Sequence, residues 1–278
     1  ILVRELTPEG FAGQVEAEWQ HLRDGPGTVP AEELARIAER FERPAYAALQ
    51  ATSATHETAL RRSAPYARWA QRNVHPHRVP GHAAVTLSLK RTGVPPRDVT
   101  ADEMEAIAAL SERHGFGEVR VTHEQNLVLP DVRLDDLPAL WELLRELDLA
   151  TPNVGLLTNI ISCPGGDFCS LANAVSIPVA EAIQRRFDDL DRLHDIGELD
   201  LNISGCINAC GHHHVGHIGI LGVDKAGEEW YQVTLGGNQG PQAAIGRIIG
   251  PSFAREQVPD VIEALLACYL AHRVSEDE

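Results

Sequence analysis

The feature that most constrains this chain is the placement of its cysteines. Four of the five fall within residues 163–210, as a Cys-x5-Cys pair (Cys163, Cys169) and a Cys-x3-Cys pair (Cys206, Cys210). An odd number of cysteines, in a chain without a visible secretion signal, argues against a disulfide framework and for reduced thiols. A fold that uses the four together must bring two short loops to one place.

Two kinds of metal site fit four thiolates on two loops, an iron–sulfur cluster and a structural zinc ion. Structural zinc usually uses Cys-x2-Cys hairpins, and the common ferredoxin spacings differ from both pairs here. Spacing alone therefore favours a cluster and leaves zinc, or no metal, open. Glycines beside the cysteines permit tight loops whose N–H groups face sulfur; they are Gly165, Gly166, Gly205 and Gly211.

Four histidines follow the last cysteine directly, at His212, His213, His214 and His217. As metal ligands they would indicate zinc or copper, and as cations they would indicate anion binding or proton delivery. As ordinary surface or hydrogen-bonding residues they would indicate no site. The sequence leaves these readings open.

The charge balance disfavours one class of partner. The 278 residues include 40 acidic and 24 basic side chains, a formal net charge of −16. Such a surface repels phosphate backbones, so we expect no nucleic acid partner. We expect no membrane partner either, because no apolar run approaches the length of a membrane-spanning helix. The chain starts with Ile1 rather than Met, which predicts a fragment, a processed product or a trimmed chain, and we expect a cytoplasmic location.

Three regions differ in pattern, and they predict domains at 1–75, 76–150 and 151–278. The first is a helical linker or arm, with apolar residues at helical spacing in 31–41. In the second, strand 83–89, helix 101–114, strands 118–122 and 126–130 and helix 134–147 predict a ferredoxin-like half-domain. Thr100 and Glu103 predict a capping box for the first of these helices. We expect a buried set of Leu87, Val121, Leu127, Leu129, Leu140 and Leu144.

The third region carries the cysteines and has an α/β pattern. We expect helices over 172–187 and 256–272, and strands over 199–204, 215–223 and 230–235. The strand 199–204 would deliver Cys206 and Cys210. The fifth cysteine, Cys268, is predicted to be a core residue on the last helix.

Two motifs together resemble the sirohaem/4Fe-4S sulfite and nitrite reductase family. One is Asn-Ile-Ile-Ser-Cys163 with Ser-Gly-Cys206-Ile-Asn-Ala-Cys210-Gly-His-His-His, and the other is Arg120-Val-Thr122-His-Glu-Gln125-Asn126. They occur in the family's order, and the resemblance covers about residues 76–272. It implies an α+β protein: a ferredoxin-like half-domain followed by an α/β sirohaem/iron–sulfur domain.

The resemblance also implies roles for single residues. Cys163, Cys169, Cys206 and Cys210 would bind a 4Fe-4S cluster, and Cys210 would also ligate the sirohaem iron, which makes it the catalytic residue. The sirohaem pocket would be lined by Arg120, Thr122, Gln125, Asn126 and Asn208, together with Cys210.

One departure from the family limits what this chain is expected to do. Family members have two homologous halves, whereas this sequence holds one motif of each kind, which implies the cluster-bearing C-terminal half. The basic residues that grip the anion come mainly from the missing N-terminal half, and Lys225 and Arg120 cannot be given that role from the sequence.

The expected function is reduction of sulfite to sulfide, with an electron donor that is a ferredoxin or a flavoprotein. The alternatives are reduction of nitrite to ammonia, or a non-catalytic module that binds zinc or a cluster. The small anion substrate is sulfite in the first case and nitrite in the second.

Overall fold

The structure, a computed structural model, describes residues 2–273. The chain divides into two compact units, Ile1–Ala47 and Ala48–Glu278. The first unit contains α1 (Leu2–Leu22), which breaks at Thr7 before Pro8, and α2 (Ala31–Glu39). A break fits there because the residue before a proline is disfavoured in the helical conformation. None of the helices described between residues 2 and 273 is long and apolar enough to cross a membrane.

The second unit begins with two short helices, α3 (Ala54–Arg62) and α4 (Ala64–Asn73). Each starts at a serine whose side chain accepts a backbone N–H three residues later, a common N-cap. Tyr66 and Trp69 of α4 are buried in the same apolar core as the sheet that follows. The domain limits drawn from the sequence, at 75/76 and 150/151, stay predictions.

The ferredoxin-like part is an antiparallel sheet with helices packed against it. Its strands are β1 (Val74–Pro76), β2 (His82–Leu87), β3 (Arg120–Val121) and β4 (Leu127–Arg133), in the order β1-β2-β4-β3. Its helices are α5 (Ala101–His114) and α6 (Leu137–Glu146), the latter entered through a 3₁₀ turn. The predicted capping box is confirmed, since Thr100 and Glu103 bond each other's backbone N–H.

The predicted core of this sheet is largely confirmed. Leu87, Leu129, Leu140 and Leu144 are buried and Leu127 is half-buried. Val121 is a wrong prediction, because it is 81% exposed. It lies on β3, which has two residues and forms an edge of the sheet, where its side chain is open to solvent. The strand predicted over 118–122 is correspondingly shorter.

The second sheet carries the two cysteine loops, residues 163–176 (the first) and 205–212 (the second). Its strands are β5 (Ile161–Ser162), β6 (Leu201–Ser204), β7 (Ile218–Lys225), β8 (Glu228–Leu235) and β9 (Arg247–Phe253), in that order. The pairs β5–β6 and β6–β7 are parallel, and β7–β8 and β8–β9 are antiparallel. Its helices are α7 (Ile177–Arg186), α8 (Leu190–Ile196) and α9 (Val258–His272). The α+β class predicted from the sequence is confirmed.

One helix corrects the prediction for Cys268. The helix itself is confirmed, and it buries Val258, Ile262 and Leu266, which recur every four residues on one face. Cys268 lies off that face and is exposed, so its assignment to the core is wrong. Its sulfur lies 3.8 Å from His272 Nδ1, one turn later on the same helix.

Candidate metal centre

Parallel pairing of two short strands sets the positions of the two cysteine pairs. Ser162 of β5 is in register with Ile203 of β6, and the N–H of Cys163 donates to the carbonyl of Ile203 at 3.0 Å. Because parallel strands end at the same edge of a sheet, Cys163 and Cys206 both leave from that edge. The sequence predicted that a strand delivers Cys206, and the structure adds a second strand that delivers Cys163.

Backbone hydrogen bonds join the two cysteine loops. The N–H of Gly205 donates to Cys163 Sγ at 3.0 Å. The N–H groups of Asn173 and Ala174 both donate to the carbonyl of Gly205, at 2.8 and 3.1 Å. The first loop therefore closes onto the residue that precedes Cys206, and a backbone donor already faces one thiol sulfur.

The backbone packs so closely in and beside these loops that only glycine fits at two positions. A Cβ on Gly205 would lie 2.6 Å from the Ala174 carbonyl oxygen and 2.8 Å from Gly165 Cα. A Cβ on Gly211 would lie 1.9 Å from the Ile203 carbonyl oxygen. These glycines, which the sequence marked as loop formers, are thus required by the close approach of backbone to backbone.

The four cysteines differ in exposure. Cys163 and Cys206 are buried, Cys169 is half-buried, and Cys210 is exposed, as is Asn208 beside it. Between residues 2 and 273, no three His, Cys, Asp or Glu side chains converge on a point that could hold a metal ion. The ligands of a structural zinc ion all lie within about 2.3 Å of one ion. In a 4Fe-4S cluster each thiolate binds a different iron, so the thiolates need not converge on one point.

The ferredoxin-like motif contacts β5, the strand that leads into Cys163, through Gln125. Its side-chain amide donates to the carbonyl of Ser162 at 2.8 Å and accepts the N–H of Ser162 at 3.0 Å. Since β5 is an edge strand of two residues, the amide supplies the pairing that a further strand would give. Ser162 precedes Cys163, so the two motifs of the sequence meet in the fold.

Two other residues of that motif shape its turn, and a third lies apart. Asn126 is buried and donates to Asn159 Oδ1 at 2.9 Å, while Thr122 Oγ1 accepts the N–H of Asn126 at 3.0 Å. Arg120 is exposed on β3 and pairs with Glu118. The structure therefore brings Gln125 to β5 and Asn126 to Asn159, two residues before β5, and leaves Arg120 at the sheet edge.

A buried lysine, missed from the sequence, lies beside Gln125. Lys90 is 1% exposed, and its amine donates to Gln125 Oε1 at 3.3 Å. Burial lowers the pKa of Lys90 to about 7, with a further lowering by Arg97 and an opposing effect of Glu124. The sequence offered one indication of this residue: the chain has two lysines, and Lys90 directly follows the predicted apolar strand 83–89.

A second contact that the sequence did not predict fixes the C-terminal end of the first cysteine loop, at Val175. Glu229 on β8 accepts the N–H of Val175 at 2.9 Å, and the hydroxyl of Tyr231 donates to the carbonyl of Val175 at 2.9 Å. Val175 in turn forms a bridge with Gly165, inside the Cys-x5-Cys pair. Burial, with help from Glu229, raises the pKa of Tyr231, so the hydroxyl stays a donor. No local pattern in the sequence marks this contact.

The histidines after Cys210 do not act as one group. His213 is buried, and its pKa is lowered to about 4 by burial and, secondarily, by His214. His217 Nδ1 accepts the N–H of Asp200 at 2.9 Å, whereas His212 and His214 are exposed. Lys225, the other cation considered for the anion, lies at the end of β7 with its amine 5.2 Å from the ring centre of Trp230.

Two family models match this chain, in the order in which its motifs occur. Residues 87–147 match the nitrite/sulfite reductase ferredoxin-like half domain, and residues 155–278 match the nitrite and sulphite reductase 4Fe-4S domain. Together the two matches cover about two thirds of the chain.

Curated relatives carry both activities in their names. A ferredoxin–nitrite reductase of Synechococcus elongatus is 32% identical over 212 residues, which are 71% of this chain and 39% of the relative. A sulfite reductase of Mycolicibacterium paratuberculosis, whose name specifies ferredoxin, is 30% identical over 72% of this chain and 38% of the relative. The chain thus spans less than two fifths of the length of these relatives.

Solved structures agree on the fold. The NirA protein of Mycobacterium tuberculosis superposes with a TM-score of 0.61 and 26% identity, over 74% of this chain and 38% of that one. A dissimilatory sulfite reductase I superposes with a TM-score of 0.58 at 14% identity, a likeness of fold alone.

Proposed function

Because the chain belongs to the nitrite and sulfite reductase family, we propose that it is the cluster-bearing part of a sulfite reductase. The cofactors of this family are a 4Fe-4S cluster and sirohaem. Nitrite reduction to ammonia is the second candidate, favoured by the names of several relatives. The run Gly-His-His-His after Cys210 is the reason for placing sulfite first.

The observation that carries this proposal is the closure of the two cysteine loops on each other. Parallel strand ends start both loops at one edge, and the N–H of Gly205 points at Cys163 Sγ from 3.0 Å. A backbone donor aimed at a thiolate stabilises its charge, which is what cluster sulfurs require. A chance pair of surface loops would not need a glycine where the loops meet, as the Gly205 contact with Ala174 and Gly165 does here.

We assign the cluster to Cys163, Cys169, Cys206 and Cys210. The two buried cysteines lie on the protein side, while the exposed Cys210 faces outward, where a second cofactor can reach its sulfur. This fits the role that the family resemblance gives to Cys210, a thiolate shared between cluster and sirohaem iron. When bound, the two cofactors supply one-electron transfer and an iron that binds the anion.

The chain's other residues position this centre. Gln125 holds the strand that leads into Cys163, and Asn126 and Thr122 hold the turn that carries Gln125. Asn208 is exposed between the second pair of cysteines, where it can meet the face of a bound macrocycle. For Arg120 we propose the same pocket, which its long side chain would reach from the edge strand β3.

A reductase of this kind also needs cationic groups for its anion and an electron donor. We propose that the remaining part of a longer reductase, in this chain or another, supplies most cationic groups for sulfite or nitrite. A ferredoxin is the proposed electron donor, by analogy with the named relatives. A cytoplasmic location is proposed from the reduced state expected of the five cysteines.

The test is an anaerobic assay of the chain loaded with iron, sulfide and sirohaem. Reduced viologen dye would supply electrons, and sulfide and ammonia would be measured after addition of sulfite or nitrite. We expect sulfide to form from sulfite, slowly but above the level of Cys206→Ser protein treated in the same way.

Each outcome separates the candidates. Ammonia from nitrite without sulfide from sulfite would make the chain part of a nitrite reductase. No product from either anion, with both cofactors bound at full occupancy, would contradict the enzymatic proposal and leave a non-catalytic cluster module.

A further inference from the structure

Lys90 is the most deeply buried cation near the cysteine loops. Its residue is 1% exposed, and within residues 2–273 its amine makes one side-chain hydrogen bond and no ion pair. Burying an ammonium without a carboxylate partner costs free energy, so burial favours the neutral amine over the protonated form. Binding of the proposed cluster by the four cysteines does not itself require a buried lysine at this position.

The lysine is held rigidly in this position. Its carbonyl accepts from Asn153 Nδ2 at 3.1 Å and from Gln184 Nε2 at 3.3 Å, and the preceding N–H, of Leu89, donates to Asn126 Oδ1 at 3.1 Å. The backbone around Lys90 is thus tied to the turn before β4, to the segment before β5 and to α7. These bonds fix the backbone from which the amine extends to Gln125.

A short chain of hydrogen bonds links this amine to β5, the strand that leads into Cys163. Gln125 Oε1 accepts from Lys90 Nζ at 3.3 Å and from the N–H of Ser162 at 3.0 Å. The next residue along the strand is Cys163. A change of charge on Lys90 therefore polarises an amide that is hydrogen-bonded to the backbone of Ser162, the residue before a proposed cluster ligand.

The charges around Lys90 are few in the described part of the chain. Arg97 disfavours its protonated form and Glu124 favours it, and burial is the largest effect, so the pKa of Lys90 falls to about 7. A further negative charge nearby would raise this pKa, because it stabilises the ammonium. The arrival of an electron at the cysteine loops is such a charge.

We propose that Lys90 is the proton acceptor coupled to electron uptake at the cysteine loops, through Gln125 and the strand of Cys163. In the coupled step, one electron enters from a ferredoxin-class donor, and the neutral amine of Lys90 takes one proton from solvent to become ammonium. The added negative and positive charges balance. Lys90 is a positioning residue in this scheme, because it acts through Gln125, and the inference rests on the proposed cluster.

The first experiment reads Lys90 without any cofactor. The chain has two lysines, so selective ¹⁵N labelling of lysine gives two side-chain signals. Lys90→Met and Lys225→Met assign them, and the exposed Lys225 is the internal reference. We expect the Lys90 signal to titrate near pH 7 in the folded protein. A Lys90 signal that titrates near the ordinary lysine pKa of 10.5 would overturn the inference.

The second experiment measures the midpoint potential of the cluster-loaded chain between pH 6 and pH 10. In the wild type the potential should fall as pH rises above about 7, approaching a tenfold change in equilibrium per pH unit, which is about 59 mV for one electron. Lys90→Met should give a flat profile at the low potential reached by the wild type at high pH. Lys90→Arg, which keeps the charge, should give a flat profile at the high potential.

The controls separate failure of this inference from failure of the proposed function. Lys225→Met should retain the wild-type profile. A chain that binds no cluster would contradict the proposed function itself. A chain that binds a cluster, but whose potential has the same pH dependence in the wild type and in Lys90→Arg, would contradict only the role of Lys90. Because Lys225→Met alone assigns the two lysine signals, the NMR titration tests the inference even if Lys90→Met or Lys90→Arg fails to fold.

Discussion

Among single residues, Lys90 makes a prediction that needs no cofactor. Its pKa falls from 10.5 to about 7 on folding, so the unfolded chain binds more protons between these values. The free energy of unfolding should therefore rise with pH in this window, by up to about 1.4 kcal/mol per pH unit. Lys90→Met should remove that rise and should be relatively more stable at pH 7 and below. Urea unfolding of both proteins from pH 6 to pH 10 measures the difference, and equal slopes would contradict it.

The cysteines offer a matched pair of substitutions. Cys206→Ser should abolish cluster binding, because it removes one of the four proposed ligands, a buried thiol next to Gly205 of the loop contact. Cys268→Ser should bind the cluster normally. The reason is its place on the exposed face of α9, not the core position expected from the sequence. Iron per chain after identical anaerobic reconstitution is the readout, and equal losses in both variants would contradict the assignment.

Among elements, the two cysteine loops can be tested through glycines that differ in their surroundings. Gly205→Ala should cost about 1–3 kcal/mol of stability and most of the bound cluster, because its Cβ would meet backbone at 2.6 Å. Gly166→Ala, in the first cysteine loop, is the control, since its Cβ would find its nearest atoms at 3.4 Å. Thermal unfolding and iron content should separate the two. Similar behaviour would show that the close approach of the loops is not needed.

The elements also show what a sequence can predict. The helix that starts at Thr100 was predictable because its capping box is a local pattern of four residues. The two-residue strands β3 and β5 carry no such signal, since their pairing is decided by distant partners. Val121 alternates correctly for a buried strand position and is exposed because β3 lies at an edge. The strand β9 was not expected for the same reason, since it forms by pairing with β8, whereas α8 has a local signal that was overlooked, the N-cap Asp189.

At the scale of the whole molecule, the class of cofactor could be predicted from the sequence, whereas the contacts that hold the two cysteine loops in place could not. Gln125 meets Ser162 across 37 residues, and Tyr231 meets Val175 across 56. Only the family motif indicated Gln125, and its hydrogen bonds to Ser162 became visible in the fold. Lys90, Glu229 and Tyr231 belong to no motif, so their contacts emerge only when both sheets are assembled.

The whole molecule is also expected to be a slow reductase on its own. Large apolar side chains are exposed on and beside the cysteine loops, namely Phe168, Leu171 and Ile207. The chain is strongly acidic, and it spans less than two fifths of its named relatives. An anion needs convergent cations, so turnover with reduced dye should be far below that of an intact relative assayed alongside. Comparable turnover would mean that this chain supplies the anion site, with His212, His214 and Lys225 as candidates.

The most direct measurement of the central claim is the metal content of protein prepared and handled without oxygen. Four thiolates on two closed loops predict about four irons and four acid-labile sulfides per chain, with a broad brown absorbance. Cys163→Ser protein should lose both together. Stoichiometric zinc without acid-labile sulfide would contradict the cluster, and with it the function proposed for this chain.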